Sequence, residues 1–278
     1  MSTEIVDINI LLRDAGNIIE KYEMLSRETG NTFNIFEIAG VSTKETMVCR
    51  VLAELLNPDG RHGQGYEYLN QFLSDCLGLH LSDQELRGAK VYREYPAQGR
   101  RIDIVINVGS RFIPIEVKIY ADDGDDQCYD YYQFAMSRDS KTKVVYLTPF
   151  GEKPPDKSAR ELSYDAVLPI SFANDIKNWL EKCLALPETI RKTPVREILL
   201  QFLSTIRGFT NQLEDKPMNE MIKLLTSSEQ NMRKAIAIAD TLEACEKEVV
   251  HKFFSAFQEK FDAALELIPL DNYNIGSN

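Results

Sequence analysis

The segment RRIDIVINVGSRFIPIEVKIY, residues 101–120, sets Asp103 on one run of alternating residues and Glu116-Val117-Lys118 on the next. Two carboxylates are hard oxygen ligands for a divalent cation, and oxygen-only ligands favour Mg²⁺ or Mn²⁺ over zinc. A cation held this way polarises a phosphodiester and acidifies a bound water. A lysine beside it orients that water or stabilises developing phosphoryl charge.

The spacing has a geometric consequence. Side chains alternate across a strand, so Ile102, Ile104 and Ile106 share one face and Arg101, Asp103, Val105 and Asn107 the other. In the following run Ile113, Ile115, Val117 and Ile119 share a face, opposite Pro114, Glu116 and Lys118. A two-residue turn at Gly109-Ser110, with glycine suited to its first position, pairs Val108 with Arg111 and brings Asp103 opposite Glu116. Like charges so placed, with Cβ atoms roughly 4.5–5.5 Å apart, destabilise a sheet. Lys118 offsets part of that repulsion, and a bridging cation would offset more. The plainer alternative is a solvated face on which Asp103 and Glu116 pair with Arg101 and Lys118.

The elements that must position this hairpin follow from hydrophobic periodicity. Helical spacing opens the chain over 5–28 and returns over about 43–57, where Asn57-Pro58-Asp59-Gly60 ends it. A third helix is expected at about 65–78. From 91 the period becomes two: Val91–Tyr95, Arg101–Val108 and Arg111–Ile119 read as strands, the first two joined by a loop over 96–99. That loop would bring Glu94 opposite Arg101 as an ion pair, with positioning of the metal site as its other reading. A helix at about 126–137, a strand at Lys143–Thr148, a surface loop over 149–165, a short strand at Val167–Ile170 and a helix at Asp175–Leu184 complete the pattern. Beyond 195 the chain reads as helical, with stripes over Val195–Phe209 and, in a longer helix near 230–265, over Ile236–Phe257. The polar stretch Asn272–Asn278 adds no closing element. The expected organisation is an N-terminal helical extension over 1–40, an α/β core over 41–185 and a C-terminal helical region over 186–278 packed on it.

The acid followed by Glu-x-Lys resembles the PD-(D/E)xK nuclease superfamily, with Ile102 standing where its motif has proline. That resemblance implies a restriction-endonuclease-like α/β core: a helix, three strands, a helix and a strand, in a mixed sheet flanked by helices. The run NPDGRHGQG (57–65), following the helix that opens at Glu45, is similar to an uncharacterised bacterial branch, which carries His-Ser where this chain has Val48 and Cys49. Gln127-x-x-x-Tyr131 resembles the Q-x-x-x-Y element of RecB-type nucleases. The family implies metal-dependent phosphodiester hydrolysis, of DNA in the first instance. Asp103 and Glu116 would hold Mg²⁺ or Mn²⁺, joined by Glu45 from the helix, while Lys118 would act on the water and Gln127 and Tyr131 would support the site. The alternative is a catalytically silent nuclease-fold module that binds nucleic acid or protein.

Several residues carry two readings. Glu45 either completes the metal site or closes a capping box with Ser42. Gln127 and Tyr131 lie one helical turn apart and either reach a phosphate together or form a polar helix edge. His62 either shapes a turn or touches nucleic acid. Tyr129, Tyr131 and Tyr132 either stack on bases or pack inward. Asp122, Asp123, Asp125 and Asp126 read as a loop with a helix N-cap.

Composition limits these readings. With 3 histidines and 5 cysteines, none paired as C-x-x-C, a zinc cluster is not expected. No apolar run approaches the roughly 18 residues of a membrane span, and Met1-Ser2-Thr3-Glu4 is not a secretory leader, so a cytoplasmic protein is expected. The net charge of −11 lacks the basic footprint of proteins that grip nucleic acid tightly. Oligomeric state is left open, a homo-oligomer included.

Overall fold

The computed structural model describes residues 2–30, 32–163 and 165–260. The polar stretch Asn272–Asn278 and the end of the helix expected to reach 265 lie outside the described residues. Two compact units are present: Gly30–Glu214, and Met1–Thr29 with Asp215–Asn278.

Helix α1 (Ser2–Thr29) opens the chain and belongs to the second of these units. The first unit begins with α2 (Ile35–Ile38), α3 (Glu45–Leu56), α4 (Glu67–Leu77) and α5 (Asp83–Arg87). Strands β1 (Lys90–Ala97), β2 (Arg100–Val108) and β3 (Arg111–Val117) follow, then α6 (Gln127–Met136), β4 (Val144–Thr148), α7 (Asp156–Ala159) and β5 (Val167–Ser171). A π-helical turn, Phe172–Ile176, leads into α8 (Lys177–Ala185), α9 (Pro187–Arg191) and α10 (Thr193–Phe209). The strands form one open sheet in the order β1-β2-β3-β4-β5. Its first three strands are antiparallel and its last three parallel, because β3–β4 and β4–β5 are joined by crossovers.

The turn at Gly109-Ser110 forms as expected: Val108 faces Arg111, Gly109 has φ +58°, and the register runs back to Ile104 opposite Ile115. The first hairpin differs. Gln98 and Gly99 take the two positive φ values, 47° and 86°, of a two-residue turn, so Pro96 joins the ladder opposite Arg101. Proline is tolerated there because β1 is an edge strand.

The sheet is buried on both sides. On one face Ile104, Ile106, Ile113, Ile115, Val117, Val145 and Leu147 meet Leu52 and Leu56 of α3, Phe72 of α4, Trp179 of α8 and Phe202 of α10. On the other, Val105, Phe112 and Val144 meet Tyr131, Phe134 and Ala135 of α6. Each such side chain contributes roughly 1.5–3 kcal/mol by leaving water, which is why the amphipathic helices pack there. Ile102 departs from expectation and joins the α6 side. Pairing between β1 and β2 skips Glu94 and Asp103, and Glu94 adopts φ +47°, so alternation breaks there.

The second unit continues with α11 (Lys216–Thr226), α12 (Glu229–Ala239) and α13 (Leu242–Lys260). The single long helix expected near 230–265 is thus two, parted at Asp240-Thr241. Lys21 Nζ pairs with Glu220 Oε1 at 2.7 Å, tying α1 to α11. Among the described residues no helix is long and apolar enough to cross a membrane.

Candidate active site

The interruption at Asp103 builds the site. The β2–β3 ladder ends at Ile104–Ile115, and beyond it Asp103 Oδ2 accepts the Val117 N–H at 2.9 Å. A side-chain carboxylate therefore stands where a ladder carbonyl would, which holds Asp103 against the end of β3. Glu116, on the α6 side of β3, is only 1% exposed. Its Oε1 is 2.9 Å from Lys118 Nζ and accepts from Gln127 Nε2 at 2.6 Å.

Helix α6 supports this arrangement from below. Gln127 Oε1 accepts the Gly124 N–H at 3.0 Å, fixing the amide so that its Nε2 faces both Glu116 and the Tyr131 hydroxyl, 3.2 Å away. Tyr131 in turn donates to the Arg101 carbonyl at 2.5 Å. The Gln127–Tyr131 pair is thus a bridge from β2 to Glu116, made possible by one helical turn of separation.

Glu45 forms no capping box. The N-cap of α3 is Lys44, and Glu45 Oε1 instead accepts three backbone N–H groups: Ile119 at 2.6 Å, Tyr120 at 3.1 Å and Ala121 at 3.0 Å. It clamps the chain as it leaves β3. Its charge also acts on Asp103 and Cys49, which puts the α3 carboxylate and the buried Cys49 thiol beside the strand carboxylates.

The electrostatics are those of a crowded, partly dry carboxylate pair. Burial, then the neighbouring Asp103 charge, pushes Glu116 up to about 8, against the pull of Lys118. Burial raises Asp103 as well, opposed by the Val117 N–H and by Lys118. For Lys118 burial works the other way, but Glu116, Asp123 and Asp103 outweigh it and hold the ammonium above its ordinary range. Glu116 leaves its buried Oε2 without a hydrogen-bond partner, close enough to Asp103 to feel its charge. An oxygen buried without a partner next to a second carboxylate fits a hard cation. Among the described residues no group of three or more His, Cys, Asp or Glu is arranged to hold a metal. The Asp103–Glu116 pair would offer such a cation two carboxylates, within the one or two with which Mg²⁺ is usually held.

The family model of the PD-(D/E)XK nuclease superfamily matches residues 33–204. The chain belongs to this superfamily. The mixed five-stranded sheet flanked by helices is the restriction-endonuclease-like α/β fold expected of such a nuclease. PD-(D/E)XK nucleases generally use divalent metals, in keeping with the Asp103–Glu116 pair. No curated protein and no solved structure matches the chain.

Other residues singled out from sequence fall elsewhere. His62 is 5% exposed, stacked on Tyr68 at 4.8 Å, with Nε2 2.9 Å from the Asn57 carbonyl and Nδ1 accepting the Gln64 N–H. It shapes the 57–65 turn. Glu94 pairs with Arg101 at 3.1 Å as expected, although Pro96 rather than Glu94 is Arg101's partner in the ladder. Tyr131 is buried, and Arg160 lies over Tyr129 at 4.2 Å. Asp126 precedes α6 but does not cap it with its side chain, pairing with Arg160 instead.

Sequence reasoning missed Asp123. It is buried, accepting from the Tyr146 hydroxyl at 2.5 Å and from Ser158 Oγ at 2.9 Å, and its charge acts on both Glu116 and Lys118. Within a run of four aspartates nothing in spacing distinguishes the one that folds inward.

Proposed function

We propose that this chain is a divalent-metal-dependent nuclease hydrolysing phosphodiester bonds of DNA. The observation that carries the reading is the buried Glu116 carboxyl, with one oxygen tied to Lys118 and Gln127 and the other left without a donor toward Asp103. Asp103 and Glu116 would hold Mg²⁺ or Mn²⁺, while Glu45, which the sequence also offered as a ligand, is committed through Oε1 to the N–H groups of 119–121. The ion would polarise a phosphoryl oxygen and acidify a water.

The chain's own groups divide the remaining work. Gln127 and Tyr131 fix the Glu116 carboxyl plane, so its free oxygen keeps one direction. Glu116 would have to be ionised to hold such a cation, and the dyad would then set two negative charges against its two positive ones. Lys118 stays an ammonium and donates to the attacking water or to a non-bridging phosphoryl oxygen, where negative charge grows. Glu45 holds the backbone of 119–121, and with it the direction in which Lys118 leaves the sheet.

Purified protein with Mn²⁺ or Mg²⁺ should nick or degrade DNA. Lys118→Ala should abolish this while its circular dichroism stays that of the wild type, and undiminished activity in that variant would overturn the assignment. A second reading, a silent module binding nucleic acid or protein, is favoured by the net charge of −11. It predicts no Mn²⁺ binding in calorimetric titration, whereas the nuclease reading predicts binding that Asp103→Asn removes.

A further inference from the structure

We infer that the substrate enters as an unpaired DNA strand, its bases stacking on Tyr120 and Phe150 in a groove that opens beside Lys118. This rests on the nuclease reading and deepens it by naming the form of the DNA.

The groove, about 460 Å³, lies at the carboxyl ends of the parallel strands β3 and β4, the edge where open α/β sheets bind ligands. Lys118, Tyr120, Phe150, Glu152 and Phe209 are among the residues that line it, so it is continuous with the candidate active site. Tyr120 is 70% exposed and Phe150 56% exposed, whereas of the α6 tyrosines, which either stack on bases or pack inward, Tyr131 is buried and Tyr129 lies under Arg160.

Both rings stand on backbone that is held. The Tyr120 N–H is one of the three taken by Glu45. The Phe150 loop is closed by Thr148 and Glu152: Thr148 Oγ1 accepts the N–H groups of Gly151 and Glu152 at 2.9 and 2.8 Å, and Glu152 Oε2 accepts the Thr148 hydroxyl at 2.5 Å. Phe209, also lining the groove, is braced edge-on against Phe172 at 5.2 Å. Exposed aromatic rings on fixed supports lose little freedom on meeting a base, and every base offers a face to stack on.

Charge argues for one strand over two. A duplex presents about one phosphate charge per 1.7 Å and is gripped by several lysines and arginines at once. Among the described residues lining this groove Lys118 is the one cation and Glu152 the one anion. Lys118 suits a single phosphate at the cleavage point. Glu152 suits the N–H donors of a base edge and repels a second phosphate. Stacking therefore has to contribute what phosphate contacts do not, and a paired base does not present its face.

Fluorescence anisotropy with a labelled strand of about 12 nucleotides and with its blunt duplex, in Ca²⁺ to suppress cleavage, tests the inference. Wild-type protein should bind the strand at least about tenfold more tightly than the duplex. Tyr120→Ala with Phe150→Ala should weaken strand binding by roughly tenfold per ring, the scale of base–aromatic stacking, and leave duplex binding unchanged. Both side chains are exposed, so folding is not at stake, and Tyr120→Trp should restore binding. Equal or tighter duplex binding, or strand binding untouched in the double variant, overturns the inference. Loss of cleavage in Lys118→Ala with strand binding retained is a separate result: the nuclease reading stands or falls on cleavage, the strand inference on binding.

Discussion

Glu116→Gln is the most informative single change, because it removes a charge while keeping shape and the acceptor that faces Lys118 and Gln127. In the unfolded chain Glu116 ionises near its ordinary 4.5, and in the folded protein at about 8. Its contribution to stability is therefore full below about pH 4.5 and is lost as pH rises through 8. Each tenfold difference in proton affinity between the folded and unfolded chain is worth about 1.4 kcal/mol, so the loss is about 1 kcal/mol at pH 5, about 3 at pH 7 and about 5 at pH 9. Asp103 is also raised and adds to the loss in the same direction. The glutamine variant has no proton to lose at this position, so its advantage over wild type should grow by about 2 kcal/mol between pH 5 and pH 7. Urea unfolding at each pH, in EDTA and with unchanged m, measures this directly. Adding Mn²⁺ should reverse the order, since only the wild type gains stability from binding. A gap between the two proteins that does not change with pH would refute the account of Glu116 as a buried, like-charged carboxyl.

Three further outcomes follow from the same geometry. Because Glu116 must lose its proton to take a cation, Mn²⁺ affinity should rise about tenfold per pH unit below about pH 8 and level off above it; calorimetry in buffers of different ionisation enthalpy should detect about one proton released at pH 7. Glu45→Ala should cost about 2 kcal/mol of stability, since three N–H groups lose a charged acceptor, and it should lower cleavage more than Lys44→Ala does; identical unfolding midpoints would show the clamp to be idle. Lys118→Met should abolish nicking yet lose less stability than the roughly 3–5 kcal/mol of a broken buried ion pair, because Glu116 can take up a proton; unfolding at about pH 6 and pH 9 should show the larger loss at the higher pH.

Much of this was legible in the chain itself. The register at Gly109-Ser110, the apolar faces of β2 and β3 and the helical stripe of α10 follow from side-chain period and turn chemistry, both local properties. So does the proximity of Asp103, Glu116 and Lys118, since one hairpin carries all three. Gln127 and Tyr131 were legible as neighbours on one helix face, but not as a bridge to Arg101 and Glu116, which depends on where α6 packs.

Tertiary structure decided what periodicity cannot express. The break in alternation that turns Asp103 toward the Val117 N–H depends on the β1 partner, where Glu94 leaves the ladder. Glu45 chose the N–H groups of 119–121 over its own helix end because α3 brings it to the end of β3, a long-range contact that outcompetes a local capping box. Asp123 folds inward because Tyr146 and Ser158 offer it two hydroxyls. The exposed rings of Tyr120 and Phe150 flank one groove because parallel pairing sets the ends of β3 and β4 side by side. The carboxylate–lysine set is thus a property of the sequence, while the burial that raises Glu116 is a property of the fold, because only helices on both faces of the sheet can take that oxygen out of water.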